Sequence, residues 1–153
     1  MTPACRTRVL ELLAPVTTEY RGPAYVLPDS LPNDDRAREV AAGERALWGD
    51  AFRWLAEHFE ALAPVVIAFD AGRPAAICHS PRGCTASAAE AGVETLEPFR
   101  GLGLATAAVA CWARAAQRTG RLALYSCSWE NAASQEVARK LSARIYGENW
   151  HVG

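Results

Sequence analysis

Apolar and polar residues change rhythm several times along the chain, and each change marks an expected element. Residues 4–14 place Val9, Leu12 and Leu13 on one side, as a short helix would. Over 17–35 the rhythm is lost. Gly22, Pro23, Pro28 and Pro32 punctuate a stretch that reads mostly as loop, with a short strand at 24–27, because proline fixes its torsion and has no amide to donate. Another short strand is expected at 38–42. Leu47, Phe52, Leu55 and Phe59 then recur at helical spacing and predict a strong amphipathic helix over about 44–60.

Two apolar, branched runs follow at 64–70 and 74–80, parted by the turn signal Ala71-Gly72-Arg73, and predict an antiparallel hairpin. Residues 81–86 read as a loop and 87–96 as a third strand. A helix is expected over 103–118, with Leu104, Ala108 and Trp112 on one stripe. A strand at 121–127 leads to a helix at 131–142, where Asn131 is a good N-cap and Val137 and Leu141 form the apolar side. Residues 144–152 close the series as a strand, bent or broken at Gly147-Glu148-Asn149. Helix, strands, helix, strand, helix, strand is an α/β order that builds layers around a mixed sheet.

Composition narrows the class. The 153 residues suit one domain, expected to span 1–153, and half of them are hydrophobic, enough for a real core. The net charge is −1 with the charges scattered, which argues against nucleic acid or a membrane surface as the main partner. Five cysteines, Cys5, Cys78, Cys84, Cys111 and Cys127, show no CxxC or zinc spacing, so no metal is expected and a reduced setting fits. The opening apolar run is too short and too charged for a signal peptide or membrane span, which predicts a soluble, cytoplasmic protein.

One stretch carries chemistry. Phe99-Arg100-Gly101-Leu102-Gly103-Leu104-Ala105 sits where a strand hands over to a helix. The first amides of a helix have no intrahelical partner and, with the dipole, form an anion site. Glycine lets backbone approach a ligand, and Arg100 adds a charged donor. In isolation the stretch is a turn. It is no Walker loop, having no Gly-Lys-Ser/Thr, and it lacks the third glycine of a dinucleotide fingerprint.

In context, Arg100-x-x-Gly103-x-Ala105 resembles the Arg/Gln-x-x-Gly-x-Gly/Ala loop of the GNAT superfamily of N-acetyltransferases. Residues 125–150 look like that family's next strand, its Asn-opened helix and its final strand. The resemblance covers about 64–152 and leaves 1–43 unplaced. It implies a mixed, mostly antiparallel central sheet flanked by helices, with acetyl-CoA as cosubstrate. The backbone of Arg100, Gly101, Leu102, Gly103, Leu104 and Ala105 would hold the pyrophosphate. The strand around Val93, Glu94 and Thr95 would pair with the pantetheine arm, and an amide near Thr95 would polarise the thioester carbonyl. Asn131, with Ser134 one turn on, would lie beside the arm; Asn131 is equally a plain N-cap.

Transfer to an amine needs a base. Glu90 and Glu94, four apart in a strand, share one face and are the candidates, with a solvated sheet face as the bland alternative. Many relatives have a Tyr on the Asn-opened helix to serve the departing thiolate, but here Ala138 stands there, so that role does not carry over. Ser134, Cys127, Tyr146 or water are the substitutes considered. His79, ending a strand beside a loop, could see substrate, whereas Trp48, Trp54 and Trp112 read as packing residues. The acceptor is expected to be a small-molecule amine, with a protein amine as the alternative. An acyl-CoA-binding module without catalysis is the second reading. A homodimer through the final strand or the N-terminal segment stays open.

Overall fold

The computed structural model describes residues 4–81 and 84–153. Arg82 and Gly83, in the expected 81–86 loop, lie outside the described residues. The elements are α1 (Arg6–Leu13), β1 (Glu19–Val26), β2 (Ala37–Glu39), α2 (Phe59–Leu62), β3 (Val66–Asp70), β4 (Arg73–His79), β5 (Ala88–Thr95), α3 (Leu104–Gln117), β6 (Leu122–Ser126), α4 (Ala132–Lys140) and β7 (Arg144–Val152). The strands form one sheet in the order β2-β3-β4-β5-β6-β1-β7. Only β5 and β6 run parallel, and every other neighbouring pair is antiparallel.

Both faces of the β2–β3–β4 half are covered, which explains why its strands read as continuous apolar runs. Val66, Ala68 and Cys78 face one core, with Ala89, Ala91, Tyr125, Trp112, Val137 and Leu141, beneath α3 and α4. Val65, Ile67 and Ile77 face the other, with Val40, Trp48, Phe52 and Leu55. Alanines at 107, 108, 110, 113 and 116 let α3 lie close against the sheet, and Trp112 beside them is fully buried. Among the described residues no helix is long and apolar enough to cross a membrane.

Four expectations are corrected. The helix over 44–60 is not continuous: 3-10 turns span Arg45–Leu47 and Asp50–Glu57, and the four-residue α2 follows. Gly49, at φ 64°, breaks the path where a Cβ would come 2.7 Å from Pro74 Cγ, so the chain turns there to pack on β4. Phe52 and Leu55 are still fully buried, because a spacing of three aligns side chains on a 3-10 turn as it does on an α-helix. Trp48 is core, stacked on Phe59 with ring centroids 5.2 Å apart, but Trp54 is 42% exposed and its ring sits edge-on to His79.

The stretch read as loop contains an eight-residue strand. β1 pairs with β6 on one side and β7 on the other, so two partners override the breaking tendency of Gly22 and Pro23. Finally, β7 runs unbroken through Gly147-Glu148-Asn149. Its irregularity lies one residue earlier: Ala24 pairs with Gly147 and Tyr25 with Ile145, which leaves Tyr146 as an extra, bulged residue.

Candidate functional site

Parallel β5 and β6 pair over only four positions, from Ala88 opposite Leu122 to Ala91 opposite Tyr125. Beyond Ala91, β5 continues along β4, with Val93 opposite Cys78 and Thr95 opposite Ala76. β6 stays with β1. The two strands therefore part into a V, and from Gly92 onward the edge of β5 that faces the gap has no strand partner. An unpaired strand edge accepts an extended, amide-bearing chain.

The open end of the V meets the start of α3. A 3-10 turn at Glu97–Phe99 carries the chain off β5, and Gly101 and Gly103 both take φ of 79°. That left-handed backbone is why glycine stands at these two positions. Gly103 is the N-cap of α3 and brings no side-chain cap. The first bond of the helix runs from the Ala107 amide to the Gly103 carbonyl at 3.1 Å, so the amides of Leu104, Ala105 and Thr106 have no intrahelical acceptor.

The loop is braced from outside by a residue that sequence patterning missed. Arg36 Nη1 donates to the Leu102 carbonyl at 3.0 Å, and Asp34 holds the guanidinium through two bonds of 3.0 and 2.7 Å. The bond keeps Asp34 below the usual carboxylate range. Arg36 lies 66 residues before Leu102, and no local signal joins them.

A cleft of about 530 Å³ opens between β5, this loop and α4. It is lined by Val93, Glu94 and Thr95 from β5, by Arg100, Gly101, Gly103, Leu104 and Ala105 from the loop and helix, and by Asn131 and Ser134 from the start of α4. Its size is that of ordinary small-molecule sites. Arg100 adds positive charge beside the free amides, while Lys140 is paired with Glu136, another lining residue, at 3.8 Å. Leu102 alone of the predicted loop residues does not line it: its side chain is 48% exposed and its carbonyl is taken by Arg36. Asn131 Oδ1 accepts the Ser134 amide at 3.0 Å, the N-cap its position predicts.

A smaller cavity of about 280 Å³ fills the V itself. Val93, Asn131 and Ser134 belong to both, so the two are continuous. Ala91, Gly92, Tyr125, Ser126 and Cys127 line it too.

The two glutamates share a face of β5, opposite Ala89 and Ala91, but the structure does not bring them together. Four positions apart on a strand, they are about 13 Å from each other. Glu94 lies in the main cleft. Glu90 lies at the closed end of the V, where the Ser126 hydroxyl donates to it at 2.5 Å. Tyr146 is near enough for that carboxylate to add to the upward push that burial gives its phenol. His79 stands opposite Gly92 on the same face as Glu94. Burial pushes its imidazole pKa down, against the pull of Glu94, and its buried Nδ1 has no hydrogen-bond partner among the described residues. Among those residues no group of three or more His, Cys, Asp or Glu side chains could hold a metal ion.

No protein-family model matches the sequence, and no curated protein does. Solved structures do. A protein described as a GNAT-family acetyltransferase from Novosphingobium aromaticivorans superimposes with a TM-score of 0.67 at 17% identity, over 90% of this chain and 65% of its own. A GCN5-related N-acetyltransferase-like protein from Streptococcus suis gives 0.65 at 18% identity, over 99% and 69%. A GCN5-related N-acetyltransferase from Kribbella flavida gives 0.67 at 22%, over 98% and 63%. The chain thus spans roughly two thirds of the length of these neighbours. Its mixed, mostly antiparallel sheet with flanking helices is the GNAT fold.

Proposed function

We propose that this chain is an acetyl-CoA-dependent N-acetyltransferase that moves an acetyl group directly to a primary amine, most simply that of a small molecule. One observation carries the reading: two parallel strands part beside a helix start whose amides are free and whose approach is cleared by Gly101 and Gly103. Coenzyme A has the matching parts. Its pyrophosphate suits the amides of Leu104, Ala105 and Thr106 with Arg100 beside them. Its amide-bearing arm suits the open edge of β5 at Val93–Thr95. Its sulfur end would then reach the V past Asn131 and Ser134.

The chemistry follows from that placement. An amine is protonated near neutral pH and must lose a proton before it attacks. Glu94 in the cleft and Glu90 at the closed end of the V are the candidate carboxylates, each acting alone because of their separation. A strand amide at Thr95 would meet the thioester oxygen as it gains charge. Buried Ala138 brings no donor for the thiolate, which favours the second reading, an acyl-CoA-binding module without turnover.

Calorimetric titration tests both. Acetyl-CoA and coenzyme A should each bind at one saturable site, and no binding at high micromolar ligand refutes the coenzyme reading altogether. Where binding holds, thiol release in the presence of a panel of primary amines marks an enzyme, and its absence across the panel marks a binding module.

A further inference from the structure

The cavity in the V is lined by two phenols, Tyr20, which already has an interaction partner, and Tyr125, which no strand or helix motif announces. Tyr125 forms the last pair of β6 with β5, opposite Ala91, so it stands at the apex of the V. Its side chain is 2% exposed, and it lines the cavity together with Asn131 and Ser134, the residues that join it to the main cleft. Its hydroxyl is hydrogen-bonded with the Ser134 side chain, in the first turn of α4.

Neighbouring donors are already engaged. The Ser126 hydroxyl is given to Glu90. Tyr25, whose ring centroid is 6.3 Å from that of Tyr125, hydrogen-bonds with Cys127. Ala138, one turn along α4 from Ser134, offers a methyl group only.

Resting on the acetyltransferase reading, we propose that Tyr125, anchored by Ser134, donates a hydrogen bond to the coenzyme sulfur as the thioester is cleaved. In that step the amine nitrogen forms the new C–N bond. The C–S bond breaks with its electron pair on sulfur, and the proton lost by nitrogen passes to a carboxylate or to water. Tyr125 keeps its own proton throughout, and the thiolate is protonated by solvent on release.

The surroundings suit a donor that never ionises. Burial holds the Tyr125 pKa up at about 12, with Cys78 and Cys127 adding to the push. Those thiols and Tyr25 are themselves pushed up by burial, and the Ser134 hydrogen bond, which pulls the Tyr125 pKa down, is outweighed by burial. A hydrogen bond to an anion is among the stronger kinds. The residue is thus a catalytic one by contact with the reacting atoms.

The test needs no acceptor. Coenzyme A is bound to the protein, and ionisation of its thiol is followed by thiolate absorbance against pH, with the ligand-free protein subtracted. The bound thiol should ionise about one to two pH units below free coenzyme A, the shift expected of one charge-assisted bond. Tyr125→Phe should return it to the free value or above while acetyl-CoA affinity stays within about two-fold, since the uncharged thioester sulfur is a poor acceptor. Tyr25→Phe, which alters the same aromatic pair, should leave the shift in place. A bound wild-type thiol no more acidic than the free one overturns the proposal, as does a Tyr125→Phe protein that keeps the shift. If Tyr125→Phe does not fold, the wild-type shift is still measured and Ser134→Ala must reduce it; an undiminished shift counts against Tyr125. Failure of coenzyme A to bind at all is a separate result and refutes the acetyltransferase reading beneath the proposal.

Discussion

Single residues decide the character of the two sides of the β5 gap. His79 is half-buried against Trp54, and burial disfavours its charged form. Its folded pKa lies below the unfolded value of about 6.5, so in that region the unfolded chain binds more protons than the folded one. Stability should therefore be full above pH 6.5 and fall as the pH drops through the histidine range. Urea midpoints at pH 7.5 and 5.5 check this, and His79→Gln should show a smaller acid-side loss than the wild type. Gly101 and Gly103 were legible in the sequence as the turn before α3, because a left-handed backbone between a strand and a helix takes glycine. Arg36 and Tyr125 were not. Arg36 acts on a carbonyl 66 residues away, and Tyr125 is one apolar position among several in Arg121-Leu-Ala-Leu-Tyr-Ser-Cys127, with nothing local to say that it ends the pairing.

At the scale of elements, the proposed coenzyme site rests on the junction of β5, its loop and α3. Replacing Gly103 with leucine forces a branched side chain into a φ of 79°, which costs about 1–2 kcal/mol, and aims it toward Arg36, whose Nη2 is 3.8 Å from the Cβ position. Acetyl-CoA affinity measured by calorimetry should fall at least ten-fold by this shift of the helix start, with secondary structure kept by circular dichroism. Unchanged affinity would show that these amides do not hold the ligand. Helix and strand existence at β3, β4, β5, α3, β6 and α4 could be read from rhythm, since packing and propensity agree there. The 44–60 segment could not. Its apolar spacing satisfies a 3-10 path as well as an α path, and the choice was made by Gly49 against Pro74 in β4, beyond the segment itself.

At the scale of the molecule, an N-terminal strand lies inside the sheet, between β6 and the C-terminal strand. That placement constrains Gly22. A Cβ there would sit 1.7 Å from the Cys127 carbonyl oxygen, where the chain leaves β6 for α4. Gly22→Ala should therefore displace that exit and lower unfolding stability by about 1–3 kcal/mol, read from chemical denaturation, and weaken coenzyme binding with it. The same placement has a bearing on how the protein is made. Thr17 and Thr18 both give their amides to the carbonyl of Gly153, and Thr17 is 136 residues from it. β1 leaves the ribosome early but has no partner until β6 and β7 have followed. Sheet closure is therefore a long-range, late event, and the strands that shape the far side of the V are fixed in place only after β5 and the start of α3 have been made.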